Sequence, residues 1–193
     1  SATLGQRHPD RRLPAAPSSR DIARALYAEV RGLPLVSPHG HTDPAWFATD
    51  APFTDATSLL LVPDHYLYRM LYSHGVALES LGIAGCGTGR EVAAPREAWR
   101  TFASHYHLFR GTPSANWLEH VFAEVFGLQY RLSSGTADEY FDHIGACLAR
   151  AEFRPRALFE RFGIEVLTTT ESPLDRLEQH QALQRSGWRG RVL

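Results

Sequence analysis

The sequence predicts an α/β fold built on a parallel sheet, and three observations carry that prediction. Two short apolar runs, LPLV (33–36) and IEVLTTT (164–170), have the length and the flanking turn residues of buried strands. Between them lies a long stretch whose apolar residues recur at helical spacing. A further helical segment and the onset of a third apolar run at Gly190 follow. Strand, helices, strand, helix, strand is the rhythm of parallel strands joined by helical crossovers.

The elements follow in order. Residues 1–18 read as a flexible segment, polar and with Pro and Arg but no apolar core, so neither a signal peptide nor a membrane anchor. Residues 19–43 hold a helix and the first strand. Ser19 is placed to cap DIARALYAEVR, where Ile22, Leu26 and Val30 share one face and Gly32 follows the end. From Asp43 the period turns helical and no strand pattern interrupts it, so residues 44–150 are expected to form a helical insertion. Within it Asp64 caps HYLYRMLYSH, which Gly75 closes. Pro95 opens a longer helix whose stripe is Trp99, Phe102, Tyr106 and Phe109. Leu118, Val121, Phe122 and Val125 mark a third helix that ends at Gly127. Thr136 and Glu139 have the spacing of a capping box for a fourth, with Tyr140, Ile144, Cys147 and Leu148 turned inward. Residues 151–193 supply the helix RPRALFERFG, the second strand from Ile164 to Thr170, and an exit through Ser172 and Pro173 into a helix ending near Ser186. The third strand begins after it.

Composition narrows the function. With 44% hydrophobic residues in 193, the chain can bury a real core. Its 20 basic residues are all arginine; they nearly balance 21 acidic ones, the net charge is -1, and no block of like charge occurs. Nucleic acid is therefore not the expected partner, since phosphate binding needs a clustered cationic face. The absence of lysine reads as a genomic composition bias. Cys86 and Cys147 are far apart and lack CxxC spacing, which implies neither a disulfide framework nor a zinc ribbon and fits a reducing cytoplasm. No run approaches the roughly 18 apolar residues of a spanning helix, so no membrane partner is expected.

The chemistry concentrates at the end of the first strand, in PHGH. Residues i and i+2 of an extended chain point to one side, so His39 and His41 can either chelate one ion or stand as solvated loop residues. Their place favours chelation, because carboxyl ends of parallel strands are where barrel active sites form. His105 and His107 have the same spacing inside a helical pattern, where i and i+2 lie about 200° apart and cannot share an ion. In DHYLYR, His65 and Arg69 are one turn apart and Tyr66 points to the side. They are donors suited to a carboxylate or polyhydroxyl ligand, or else the polar face of an amphipathic helix. GCGTGR (85–90) lacks the spacing and the Lys-Ser/Thr pair of a phosphate loop and reads as a flexible connection. The hydroxyls of TTTES (168–172) can reach the same mouth as the histidines, with helix capping by Ser172 the simpler role. Neither cysteine has an adjacent base for nucleophilic work.

Taken together, PHGHTDPAWF, DHYLYRMLYSHGV, WRTFASHYHLFRGTPSANWLEHVFAEVFG, FRPRALFERFGIEVLTTTESPLDRLEQH and WRGRVL resemble the amino-terminal part of uronate isomerase, in the family's order and from about residue 15 onward. The resemblance implies a partial (β/α)8 TIM barrel of the amidohydrolase type, with its first two strands, the start of the third and a large helical insertion after strand 1. It implies interconversion of D-glucuronate with D-fructuronate and of D-galacturonate with D-tagaturonate, with a uronate sugar as the small-molecule partner; a cytoplasmic location rests on the cysteine usage above, and assembly into a homo-oligomer is left open. By the same resemblance His39 and His41 hold a divalent metal, zinc in the usual description, and His65, Tyr66 and Arg69 contact the uronate. The general base, an aspartate, is expected beyond Leu193, and the chain alone is expected to be inactive. TTTESP departs from the two acidic residues the family often carries after these threonines. Two other readings stand beside this one: a metal-dependent hydrolase on the same barrel, and a helical interaction module without catalysis.

Overall fold

The computed structural model describes residues 8–85 and 89–193. It divides into two compact units, one of residues 53–150 and one in which residues 8–52 join 151–193.

The sheet unit carries three parallel strands in the order β1-β2-β3: β1 (Leu35–Ser37), β2 (Ile164–Leu167) and β3 (Arg191–Val192). Leu35 pairs with Ile164, Val36 with Val166 and Ser37 with Leu167, with an irregularity between Leu35 and Val36; Val166 then pairs with Arg191. Backbone bonding continues past the strand ends, from Thr168 N to the Ser37 carbonyl at 3.0 Å and from Thr169 N to the Leu193 carbonyl at 2.7 Å. The second strand is thus shorter than Ile164–Thr170, yet its threonines remain tied to both neighbours.

Two expectations for the start of this unit need correction. The first strand is not buried: Leu35 and Val36 are more than half exposed, as is Leu33 before them. It lies at the edge of the sheet, paired on one side with β2. The first helix, α1 (Pro17–Val30), begins at Pro17 with Ala16 as its cap, because proline at the first position supplies a preset φ and loses no bonded N–H. Ser19 lies inside it. Ile22, Leu26 and Val30 form the expected stripe, but no residue of α1 is buried.

The core of the unit is small. Helix α2 (Pro44–Thr49) places Phe47 against Phe159 of α7 (Pro155–Arg161), Leu167 of β2 and Leu183 of α8 (Glu178–Arg185), and Trp188 stacks on Phe47 at 5.7 Å. Arg156 secures the end of α2: its Nε donates to the Phe47 carbonyl at 2.8 Å, Nη2 to that of Ala48, and its backbone N to Asp50 Oδ1. These are carbonyls a helix end leaves without partners. The last helix starts at Glu178 rather than after Pro173, so Ser172 does not cap it. Ser172 instead closes a local turn with Asp175 and Leu174, and Leu177 enters the helix in a left-handed conformation.

In the helical unit, α3 (His65–Ser73) is capped as expected: Asp64 accepts from the backbone N of Tyr66 and Leu67. Helix α4 (Pro95–His105) stops earlier than the stripe suggested and tightens into a 3₁₀ turn, Tyr106–Phe109, which keeps Tyr106 and Phe109 buried. His105 and His107 turn apart, each Nδ1 meeting the carbonyl three or four residues back. Helix α5 (Pro113–His120) widens into a π turn, Val121–Val125, and Gly127 follows at φ +73°. Helix α6 (Ala137–Leu148) buries Tyr140, Ile144, Cys147 and Leu148. The capping box does not form, because Thr136 turns its hydroxyl to the Arg131 carbonyl and Glu139 bonds the Tyr130 phenol. Of GCGTGR, residues 86–88 lie outside the described residues, as do residues 1–7 of the N-terminal segment. No helix among the described residues is long and apolar enough to cross a membrane.

Candidate active site

His39 and His41 leave the carboxyl end of β1 on one side of the chain, as alternation in an extended segment requires. Their Nε2 atoms are 3.2 Å apart and the rings meet edge to face, at 86° with centroids 5.0 Å apart. Both are exposed. A tetrahedral ion holding imidazoles at roughly 2.0–2.1 Å sets their nitrogens about 3.3–3.4 Å apart. The observed pair therefore fits two ligand positions of such an ion. The same separation also suits an N–H···N bond between neutral rings. Among the described residues no group of three or more His, Cys, Asp or Glu gathers as a metal site would require.

The loop that carries the pair is held from three sides. Ser37 Oγ donates to the His39 carbonyl at 3.2 Å, and Asp43 accepts from Ala45 N at 2.8 Å to start α2 directly after the loop. From the end of β2, Thr170 Oγ1 donates to the Gly40 carbonyl at 2.7 Å. Gly40 itself lies so close to β2 that a Cβ there would stand 3.0 Å from the Thr168 carbonyl, which accounts for glycine between the two histidines. The threonine run thus does reach the mouth, through Thr170. Thr169 ties the other edge: its hydroxyl donates to the Leu193 carbonyl at 3.1 Å, so at 3.0 Å it accepts from His180 Nε2. Thr170 belongs to the threonine run singled out from the sequence, whereas Gly40 and His180 were not. A glycine between two histidines is the signal that could have found the first of these, and nothing local marks His180.

In the helical unit, His65, Tyr66 and Arg69 open α3. The rings of His65 and Tyr66 lean together with centroids 4.2 Å apart and 33° between planes. Tyr66 and Arg69 are exposed while Leu67 and Leu71 fill the core, so this helix turns one face inward and presents its polar side. The Asp64 cap fixes the first turn from which His65 and Tyr66 project.

The profile of the family described as glucuronate isomerase matches residues 18–192. The chain belongs to the glucuronate isomerase family. It is 64% identical over 186 residues to the uronate isomerase of Xanthomonas euvesicatoria pv. vesicatoria (strain 85-10), covering 96% of this chain and 39% of that protein. It is 63% identical to that of Phenylobacterium zucineum (strain HLK1), covering 38% of it. The structure superposes on crystalline glucuronate isomerase from Caulobacter crescentus with a TM-score of 0.93 at 57% identity, over 99% of this chain and 40% of that one. Uronate isomerase from Thermotoga maritima gives 0.81 at 26% identity, over 96% and 38%. The members of the glucuronate isomerase family named here are isomerases, and this chain spans less than half the length of each.

Proposed function

We propose that this chain works within a uronate isomerase that interconverts D-glucuronate with D-fructuronate and D-galacturonate with D-tagaturonate. In this reading the three parallel strands open a (β/α)8 barrel of the amidohydrolase type, and the helical unit is its insertion after β1. One observation carries the proposal: two imidazoles of a glucuronate isomerase family member converge to 3.2 Å at the carboxyl end of β1.

The reaction moves a proton between the first two carbons of the open-chain sugar acid through an enediol, which needs a base and stabilisation of the developing oxyanion. A divalent metal, zinc in our reading, would be held by His39 and His41 and supplies Lewis acidity there when bound. Ser37, Gly40 and Thr170 keep the two rings aimed at one point, so little ordering remains to be done on binding. Arg69 offers a planar fork for the uronate carboxylate, and His65 and Tyr66 offer bonds to its hydroxyls. A catalytic zinc normally has three protein ligands. The third, an aspartate that would also act as the base, is assigned to the part of the relatives' length outside these 193 residues. We place the enzyme in the cytoplasm on its cysteine usage.

The test is metal content and turnover in a full-length protein carrying this sequence. His39→Ala and His41→Ala should each lower metal affinity by at least the roughly tenfold that loss of an outer-shell partner costs, and abolish uronate isomerisation. Retention of both metal and activity would sink the proposal, and ester or amide hydrolysis in place of isomerisation would redirect it to a hydrolase. The 193-residue chain alone should turn over no glucuronate.

A further inference from the structure

The helical unit contains a concavity of about 950 Å³ where the end of α4 and its 3₁₀ turn meet the start of α5 and the turn leading into α6. Its walls carry Arg110, Arg131, His107, Ser104, Ser133 and Ser134, with apolar contact from Leu132 and Ala115. None of these residues belongs to the proposed isomerase chemistry.

The contrast with arginines elsewhere in the unit is informative. Arg96 and Arg100 are engaged by Asp138, Asp142 and Glu97. Arg110 and Arg131 border the concavity with no carboxylate partner among the described residues, and one carboxylate, Glu119, lies on the same lining. Two guanidiniums against one carboxylate leave the walls net positive, and like charges on one rim favour an anion between them. The remaining polar groups suit hydroxyls. His107 donates from Nδ1 to the Ser104 carbonyl at 3.1 Å, so when neutral its Nε2 is an acceptor, while Ser134 adds a hydroxyl that can donate or accept. The volume lies in the range of small-ligand sites.

We propose that this concavity binds a small ligand bearing an oxyanion, a carboxylate or phosphate on a hydroxylated body, with Arg110 and Arg131 as its charge partners. Arg fits both anions because its planar fork bonds two oxygens at once.

The test is calorimetric titration of the 193-residue chain with inorganic phosphate and, separately, with gluconate at low ionic strength. Saturable binding of either probe is expected, with Arg110→Gln and Arg131→Gln each weakening it by about tenfold or more. Arg185→Gln, on α8, should change nothing. Tighter binding of phosphate or of gluconate identifies which anion the site takes. All four positions substituted here are exposed, and thermal midpoints check that each variant remains folded. Ser134→Glu, which adds a carboxylate to the wall in an exposed turn, should weaken binding to a similar degree and serves where an arginine variant fails to fold. No saturation below about 20 mM of either probe, or affinity unchanged in both arginine variants, overturns the proposal.

Discussion

The helical unit and the sheet unit use the same kinds of residue to opposite effect. In residues 53–150 the large apolar side chains close on one another: Trp99, Phe102, Phe109, Phe122 and Tyr140 are fully buried, with neighbouring rings 5.0–6.3 Å apart in tilted and edge-to-face contacts. In the sheet unit the buried cluster has four residues, while the first helix and the edge strand keep Ile22, Leu26, Tyr27, Val30, Leu35 and Val36 exposed. Apolar periodicity tells which face of an element seeks cover, and only tertiary structure tells whether cover is present. The histidine pair belongs to the open unit, on a loop that a strand end and a threonine position, as functional loops on a rigid scaffold are.

The contrast is broken most directly at Trp99. Trp99→Ala removes the largest fully buried side chain and should cost about 3–5 kcal/mol, read as a lowered midpoint in urea melts. A cost below about 1 kcal/mol would mean that the ring cluster is not closely packed, and the distinction between the units would fall with it.

What could be read from the sequence follows the same division. Elements with a local chemical signature were legible: Asp64 caps α3, Pro95 opens α4, and the inward residues of α6 are the ones its period names. Features decided by competition among neighbouring partners, or by a partner far along the chain, were not. Thr136 has the spacing of a capping box, but the carbonyl of Arg131 competes for its hydroxyl and Tyr130 takes Glu139. Ser172 has the identity of a cap, yet Asp175 three residues on folds it into a turn. At the candidate site the two histidines were legible because alternation in a strand is local. The Thr170 bond to the Gly40 carbonyl was not, since it joins residues 130 positions apart.

A middle-sized effect compares the two caps. Asp64→Ala should destabilise the helical unit by about 1 kcal/mol, because the carboxylate satisfies two N–H groups at the start of α3. Circular dichroism melts of Asp64→Ala and Asp64→Asn would separate them, the asparagine retaining most of the cap. Equal losses for both would show that charge near the helix start, rather than the cap bond, is what Asp64 contributes.

A smaller effect is expected where the helical unit is pinned at its surface. Hydrogen bonding from Arg100, and next from Arg96, holds the Asp138 carboxyl below its ordinary value of 3.8, against the opposing effect of desolvation. A folded-state value below the unfolded one means the contribution is fully present above the ordinary carboxylate range. It is lost as pH falls through the depressed value. Wild type should therefore exceed Asp138→Asn in thermal midpoint at pH 7, with the gap closing below pH 3.8. The group is exposed, so added salt should narrow the gap as well. A gap that widens on acidification would reverse the assignment.

The smallest effect is the sharpest test of the open unit. Leu26 on α1 is 65% exposed, and a side chain already in water has little transfer free energy left to lose. Leu26→Gln should change the stability of this chain by no more than about 0.5 kcal/mol, despite replacing a large apolar residue in the middle of an amphipathic stripe. It should also lower any self-association seen by sedimentation, because it removes apolar area from a continuous exposed face shared with Ile22 and Val30. A loss of several kcal/mol would place α1 against a second copy of the chain, and the stability would then depend on protein concentration. The same substitution therefore decides whether the stripe on α1 is uncovered in solution or completes a core between copies.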